Sequence, residues 1–416
     1  MAEWNATSSG NNRKNLAILA LSLAVVMLGF GLVMPIFPFY IESMGASATE
    51  LGLLVAISPL IQLVASPLWG GVSDRRGRKP VLLVGLLGYG LSMLLFGLST
   101  ELWMLFVARG VGALLSAATM PTTMAYVSDS TSEQDRGGGM GVLGAATGLG
   151  MVLGPALGGL LGSESLSTPF FLTAGVCLLT LLLVLFLLPE SLPAAARRHA
   201  ASGAQPAVQV RALWRALSGP LGVLLAMAFL VSFGLTNFQG IFGYYALKKF
   251  GYGPEEVGWI LTVVGLVSAL TQGVLTGPLT RRWGETVVIK ATLLAGAVGF
   301  GLLLAANDLA TVLLTTGLFA LPNALLRPAV ISLTSKRAEE QGVAMGLNNS
   351  FNSLGRVVGP IWAGLAFDLN YNLPYLSGAV IMLAGFLVSL AWVSQERAGF
   401  TQPDAVRQVG AGRKLG

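Results

Sequence analysis

The chain has 416 residues, of which 54% are hydrophobic types and only 11% are charged. A soluble domain carries about 25% charged residues, so this composition indicates a polytopic membrane protein. The net charge of +6 would suit a nucleic-acid-binding protein, but the placement of the basic residues between apolar stretches excludes that function. With a single Cys177 and a single His199, an internal disulfide is excluded and no His-based metal or proton site is expected.

Long apolar stretches follow one another along the chain. A transmembrane helix needs about 20 apolar residues. Twelve stretches reach this length, at 16–40, 51–71, 81–99, 103–128, 139–163, 169–188, 219–246, 255–279, 287–305, 309–334, 342–366 and 373–394. We predict an all-α membrane protein with twelve transmembrane helices, which we number spans 1 to 12 in that order.

Polar segments divide the chain into two halves. The segment 189–218, rich in Ala, Pro, Gln and Arg, predicts a cytoplasmic linker between a six-helix half at 16–188 and a second six-helix half at 219–394. Residues 1–15 and 395–416 are polar and are expected to be cytoplasmic tails.

Lysine and arginine placement predicts the orientation, because cytoplasmic loops of membrane proteins carry an excess of both. Of the 25 Lys and Arg, only Lys248 and Lys249 fall in loops on one side, while Arg109, Arg327 and Arg356 fall within spans. All the others lie on the side of the linker. We therefore expect a multi-pass protein of the plasma or inner membrane with both termini in the cytoplasm.

Two sequence patterns recur in the second half. The basic, Gly-bracketed turn at 70–79, after span 2, has a degenerate copy at 277–284, after span 8. Spans 5 and 11 share another pattern at one constant separation: Met140-Gly141, Leu149-Gly150 and Gly154-Pro155 recur as Met345-Gly346, Leu354-Gly355 and Gly359-Pro360. Two similar membrane halves are the layout of many secondary transporters, which bind their solute between the halves.

The turn at 70–79 reads GGVSDRRGRK and resembles the loop signature of the major facilitator superfamily. This resemblance implies the twelve-helix fold of that superfamily and a latch that holds the two halves in the outward-facing state. The implied latch residues are Gly70, Asp74, Arg75, Gly77 and Arg78, with Asp129 at the inner end of span 4 as a partner. The alternative is that these charges only set the topology. In the second copy, Arg281 stands where the first has Asp74.

Small residues in span 5 extend the resemblance. The pattern Gly150-x-x-x-Gly154-Pro155-x-x-Gly158-Gly159 allows close helix approach, and its proline bends the helix. It resembles the antiporter motif of the superfamily, and we predict that these five residues, with Gly359 and Pro360 in span 11, pack helices together. Residues 29–38 of span 1, GFGLVMPIFP, resemble the first helix of drug:proton antiporter-1 pumps, the branch that holds tetracycline and quinolone exporters. The resemblance runs over nearly the whole chain.

Polar residues within the spans are candidates for the solute site. A membrane arginine is costly and normally faces a cavity or a partner, and the resembled family carries an arginine at the position of Arg109 that is implied to take part in proton handling. Methionine and phenylalanine supply adaptable apolar surface. The predicted substrate-binding residues are Met27, Phe30, Gln62, Arg109, Asn237, Gln239, Asn323, Arg327, Asn349 and Arg356.

The chain departs from the resembled pumps in its mid-span acids. Those pumps carry one acid in span 7 and another in span 10, whereas here Gln239 stands at the expected position in span 7, and span 10 offers Asn323 and Ala324. None of the 19 Asp and Glu falls in the middle of a predicted span. A cavity that holds arginines without a carboxylate is better suited to neutral or anionic solutes than to cations.

We therefore predict a secondary active transporter that exports amphipathic small molecules or drugs by alternating access, with proton coupling implied by the resemblance. Two alternatives stay open: an exporter or facilitator of neutral or anionic metabolites or of lipid that is not proton-driven, and a non-transporting receptor on the same fold. No nucleotide-binding loop or hydrolytic triad stands out, so no enzyme activity, cofactor or metal is expected. The expected partners are a small-molecule substrate, protons and membrane lipid, with no nucleic acid, and the chain is expected to be a monomer.

Overall fold

The computed structural model describes residues 2–132, 135–192, 197, 221–337 and 341–392. All regular structure in these ranges is helical, as the sequence predicts. Most of the predicted linker at 189–218 and all of the predicted tail at 395–416 lie outside the described residues. The first helix begins at Ala2, so residues that the sequence assigns to an N-terminal tail continue the helix of span 1.

The spans have the following bounds. Span 1 consists of two helices, Ala2–Val33 and Phe37–Glu42, and span 4 of two helices, Leu102–Ser116 and Thr119–Ser130. The remaining helices of the first half are Ala48–Arg76, Arg78–Leu98, Arg136–Glu164 and Thr168–Leu187. The second half contains Gly222–Phe250, Pro254–Leu270, a π-helical turn Thr271–Leu275, Thr276–Ala305, Leu309–Arg337, Gln341–Leu369 and Leu373–Trp392.

Ten helices of the described chain are long and apolar enough to cross a membrane. One of these, Pro254–Ala305, contains two passes because Gly284, with a φ of 77°, breaks the helix between spans 8 and 9. Span 11, Gln341–Leu369, is not among the ten, although its length of 29 residues equals that of span 2. Counting Pro254–Ala305 as two spans and adding span 11 gives the twelve predicted spans. The predicted fold class is confirmed.

The two halves repeat the same packing. Span 1 packs on span 5 and span 3 on spans 4 and 6 in the first half, while span 7 packs on span 11 and span 9 on spans 10 and 12 in the second. Glycines make the closest of these contacts. A Cβ atom on Gly154 would lie 2.6 Å from the Cα of Gly31 in span 1, and one on Gly150 would lie 2.6 Å from the backbone nitrogen of Leu28.

The predicted packing residues all lie at such close contacts. Gly158 faces the carbonyl of Leu32 in span 1, and Gly359 faces the backbone of span 7 at Phe233. Gly159 meets the opposite half, and Pro155 and Pro360 contact both halves, their rings their own half and their carbonyl groups the other. The same small-residue pattern therefore serves two purposes, tight packing within a half and tight packing between halves.

The halves meet at one end of the molecule, which we call the far end. There, a Cβ atom on Gly159 of span 5 would lie 2.6 Å from the carbonyl oxygen of Pro254 at the start of span 8. Similarly, a Cβ atom on Gly364 of span 11 would lie 2.8 Å from the Cα of Thr49 at the start of span 2. The Pro360 carbonyl lies against Gly52 in the same pair of helices.

The same helix pairs separate at the opposite end, which we call the linker end. Cβ atoms placed on Gly137 and Gly141 of span 5, on Gly273 of span 8, or on Gly342 and Gly346 of span 11 would meet no atom within 4 Å. Because these helices touch at the far end and diverge toward the linker end, they enclose a cavity that opens at the linker end.

Gly158 and Gly148 offer a matched pair of substitutions in span 5. We expect Gly158→Ala to destabilise the protein by roughly 1–3 kcal/mol, because the added methyl group meets the backbone of Leu32. The methyl group that Gly148→Ala adds would face open space. Because alanine favours the helix more than glycine does, this variant should stabilise the protein by up to about 1 kcal/mol. Thermal unfolding of the purified protein in detergent measures both. Equal melting temperatures for the two variants would contradict the packing described here.

Candidate functional site: the central cavity and its loop networks

Span 11 has two accessible faces of opposite character. Val358, Trp362, Leu365 and Leu369 lie along one face, at helical spacing, and are exposed. Asn349 and Arg356 are also exposed but lie on the opposite side of the helix, in line with Gly342 and Gly346. An apolar exposed face suits lipid, whereas a polar exposed face in a membrane helix lines a cavity. Span 11 therefore presents its amide and its guanidinium to the cavity.

Other predicted residues occupy corresponding positions. Phe30 is 40% exposed and lies on the side of span 1 opposite the exposed Leu21, an apolar residue suited to face lipid. Gln62 is half-buried and lies opposite Leu60 and Val64 in span 2. Arg327 is exposed and lies away from the exposed leucines of span 10. The helix faces thus bring Phe30, Gln62 and Arg327 to the same cavity as the polar face of span 11.

Arg327 and Arg356 form the strongest charge feature of the cavity. Both side chains are exposed within their membrane-spanning helices. Among the described residues, neither makes a salt bridge with a carboxylate. Arg356 occupies the middle of the 29-residue span 11, far from both helix ends. Two positive charges without a carboxylate partner at this depth are chemically suited to attract an anionic group.

Arg109 lies deeper inside the first half than the other two arginines. Its guanidinium carbon is 5.3 Å from the ring centre of Phe37 and 6.0 Å from that of Phe96. Its Nε is buried and has no hydrogen-bond acceptor among the described residues. The hydroxyl of Tyr89 is likewise buried without a partner. Aromatic faces, rather than a carboxylate, therefore stabilise this charge.

Three further predicted residues lie in packing contacts. Asn237 is fully buried and donates a hydrogen bond to the Pro374 carbonyl at 2.7 Å, so it joins span 7 to span 12. Asn323 donates to the Phe319 carbonyl of its own helix at 2.8 Å. Met27 is half-buried, with its Cβ against Gly150. Gln239 is half-buried in span 7, two residues beyond Asn237.

The predicted loop residues form a network within the first half. Arg78 makes a salt bridge with Asp74, donates from Nε to Asp129 at 2.9 Å, and donates to the Ser73 hydroxyl at 2.8 Å. Gly77 takes a φ of 107°, a left-handed conformation that favours glycine, and this turns the chain so that Arg78 points back at span 2. Arg75 is exposed, and Gly70 faces open space.

Glu190 is a member of this network that sequence reasoning missed. Its carboxylate accepts from the backbone nitrogen of Arg78 at 2.8 Å and of Lys79 at 3.2 Å, and so caps the start of span 3. Arg197 lies 3.7 Å from the same carboxylate. The beginning of the linker is thereby tied to the loop after span 2. No sequence motif linked these segments, because 112 residues separate Glu190 from Arg78.

The second half contains a charge-inverted copy of this network. Glu285 makes a salt bridge with Lys336 and accepts from the Ser332 hydroxyl at 2.9 Å. The sequence offset that relates Gly77 to Gly284 also relates Arg78 to Glu285 and Asp129 to Lys336. Gly284, like Gly77, has a positive φ. The backbone turn and the ion pair are retained while the two charges are exchanged.

Comparison with known proteins identifies the family. A sequence profile described as Major Facilitator Superfamily matches residues 19–245 and 224–414. The chain belongs to the Major Facilitator Superfamily. The predicted resemblance is confirmed, and the repeated match fits the two structural halves.

Two curated relatives are similar over nearly their whole length. Multidrug resistance protein 2 of Bacillus subtilis (strain 168) is 32% identical over 384 residues, which cover 92% of this chain and 96% of that protein. Quinolone resistance protein NorA of Staphylococcus aureus (strain COL) is 28% identical over 381 residues, covering 91% and 96%. A crystal structure of the human organic anion transporter MFSD10 (TETRAN) is similar in fold, with a TM-score of 0.64, 23% identity and coverage of 91% and 99%.

The inverted ion pair can be tested by charge exchange. We expect Glu285→Lys and Lys336→Glu each to lower the free energy of unfolding by about 1 kcal/mol, because each leaves two like charges in contact. The double variant Glu285→Lys/Lys336→Glu restores opposite charges and should recover most of that loss. Thermal unfolding of the parent, the two single variants and the double variant completes this double-mutant cycle. Additive losses in the double variant would show that the two side chains do not interact.

Proposed function

We propose that this protein exports amphipathic small molecules by alternating access. The observation that carries the proposal is the geometry of the two halves, which are in backbone contact at the far end and apart at the linker end. A solute site enclosed between two rigid halves is the arrangement that alternating access requires. The names of the two curated relatives, a multidrug resistance protein and a quinolone resistance protein, support drugs as the substrate class.

We place the linker end in the cytoplasm. The exposed Arg75, Arg76, Arg281 and Arg282 lie there, whereas Lys248 and Lys249 lie at the far end. This asymmetry supports a plasma-membrane protein with both termini inside. On this assignment the structure is the inward-facing conformation, ready to receive solute from the cytoplasm.

The network of Asp74, Arg78 and Asp129 is our candidate for the latch. In the inward-facing conformation it braces span 2, span 4 and the intervening loop within one half. Asp74 remains 48% exposed, so it is available to a partner on the other half when the linker end closes. The proposed role of the network is to present that carboxylate in a fixed position.

Proton coupling is proposed from the family and is constrained by the positions of the carboxylates. Asp and Glu of the described spans lie near helix ends, as Asp74, Glu285 and Asp368 do. Arginine stays protonated and cannot exchange a proton. Coupling would therefore use carboxylates at the two membrane surfaces instead of a carboxylate beside the solute. We expect a weaker dependence of transport on a pH gradient than in a pump with mid-span acids.

A second candidate substrate class follows from the cavity charge. The exposed face of span 5 carries Gly137, Gly141 and Gly144, while the equivalent face of span 11 carries Gly342, Gly346 and Asn349, followed by Arg356. One wall is therefore smooth and uncharged, and the other is cationic. This asymmetry favours neutral or anionic amphipaths, including metabolites or lipid, over permanent cations.

The decisive experiment is solute flux in proteoliposomes. Efflux of cationic, neutral and anionic fluorescent dyes is measured with and without an imposed pH gradient. We expect flux that saturates with dye concentration and is fastest for neutral or anionic dyes. No flux with any dye would favour a non-transporting receptor on the same fold. Strong proton-driven efflux of cations would contradict the charge argument while supporting drug export.

The cavity arginines provide a residue-level test. We expect Arg327→Ala and Arg356→Ala each to reduce flux of an anionic dye about tenfold, equivalent to about 1.4 kcal/mol of lost binding. The control is Arg282→Ala, an exposed arginine at the linker end. It should leave flux near the parent level, because its charge is solvated. Similar small effects at all three positions would remove Arg327 and Arg356 from the site.

Gln239 tests whether a mid-span acid changes the selectivity. We expect Gln239→Glu to increase efflux of a cationic dye and to make it more dependent on the pH gradient, because a buried carboxylate both attracts cations and titrates. Gln239→Leu, which removes polarity without adding charge, is the control. A gain in both variants would indicate a change in cavity shape, and a gain in neither would place Gln239 away from the solute path.

A further inference from the structure

One carboxylate joins the two halves at the far end. Asp368, near the end of span 11, accepts hydrogen bonds from the backbone nitrogens of Ala48 at 3.1 Å and Thr49 at 3.0 Å, and from the Thr49 hydroxyl at 2.5 Å. Ala48 and Thr49 form the first turn of span 2, in the first half. All three bonds therefore cross between the halves.

These bonds complete the cap of span 2. A helix begins with backbone N–H groups that have no acceptor within the helix. Ser47 and Glu50 form a capping box, in which the Ser47 hydroxyl accepts from the Glu50 nitrogen at 3.2 Å and the Glu50 carboxylate accepts from the Ser47 nitrogen at 2.7 Å. The nitrogens of Ala48 and Thr49 are satisfied by Asp368. The start of span 2 is thus capped partly by its own half and partly by the other half.

The surroundings of Asp368 make the contact specific. Gly364, one turn earlier in span 11, lies against the backbone of Ala48, and this close approach brings the carboxylate to the helix start. Tyr244 of the second half donates to the Ala46 carbonyl at 2.8 Å. The neighbouring ion pair of Lys248 with Glu42 is longer, at 3.9 Å, and both of its side chains are exposed. Asp368 therefore makes the only contact between a carboxylate and a helix start across the halves, among the described residues.

We propose that Asp368 is a gating residue, whose carboxylate holds the far end closed by completing the cap of span 2. Opening of the far end separates span 2 from span 11 and leaves the nitrogens of Ala48 and Thr49 to water. The positive end of the helix dipole and the negative charge are then no longer in contact. Loss of the carboxylate charge should therefore shift the protein toward conformations that are open at the far end.

The test uses two cysteine reporters, with the only native cysteine removed as Cys177→Ala. Gly346→Cys lies in open space at the linker end and reports an open cavity. Ala56→Cys lies on the Gly52 face of span 2, where Ala56 is 3% exposed, and reports opening of the far end. Labelling by a water-soluble maleimide is followed in detergent, where both ends are accessible and no substrate is needed.

We expect Asp368→Asn to slow labelling of Gly346→Cys and to accelerate labelling of Ala56→Cys, each about fivefold, because a charge-assisted contact becomes a neutral one. The matched control is Asp308→Asn. Asp308 also caps a helix at the far end, accepting from the Thr311 nitrogen at 2.8 Å, but it does so within one half. Hydrogen bonds from Thr311 hold the pKa of Asp308 below its usual range, so it too is a charged cap. Asp308→Asn should change neither labelling rate.

The pattern of the two rates separates gating from misfolding. Unfolding would accelerate labelling at both reporters, whereas gating moves the two rates in opposite directions. Rates for Asp368→Asn equal to the parent rates, or equal shifts in Asp308→Asn, would overturn the proposal. Because the readout requires no solute, failure of drug export in proteoliposomes would leave this result unaffected.

Discussion

Backbone contact between the halves at the far end is the constraint on which the rest of the structure depends. Span 2 meets span 11, and span 5 meets span 8, through positions that have no room for a Cβ atom. Helices that touch at one end and carry open glycine faces at the other must diverge. The cavity is the consequence of this divergence, and its depth and opening follow from where the small residues stop making contact.

Pseudo-symmetry of the backbone is combined with asymmetry of charge. Gly77 and Gly284 make equivalent left-handed turns, and an ion pair follows each turn, but its polarity is reversed in the second half. A brace within one half needs only opposite charges in contact, so either polarity satisfies it. The cavity wall is different, because a solute responds to the sign of the charge. The face of span 11 that corresponds to the glycine face of span 5 adds Asn349 and Arg356, so the two walls of the cavity differ in charge.

The sequence predicts the architecture well because its strongest signals are local. Apolar stretches of sufficient length define the spans, and small residues at four-residue spacing mark the close contacts of span 5. Long-range pairs were less predictable. Glu190, Glu285 and Asp368 each act on a segment distant in sequence, and an isolated carboxylate has no periodic pattern. Asn237 shows what the sequence could not specify, because a polar residue in a span suggests the cavity, while the fold also gives its amide a carbonyl partner in span 12.

Span 11 carries both the proposed gating residue Asp368 and the cavity residue Arg356. Arg356 is exposed on the polar face of span 11 and Asp368 caps span 2, and about 18 Å of one helix separates them. The helix packs on span 7 within its own half and on span 2 across the halves, and Pro360 lies at the inter-half contact between the two charges. A solute alters the gate only if it binds more tightly to one position of this helix than to another. On the function proposed above, an anion held by Arg356 would meet that condition when closing of the linker end brings the opposite wall of the cavity toward span 11, because the solute would then gain contacts that the open cavity does not offer.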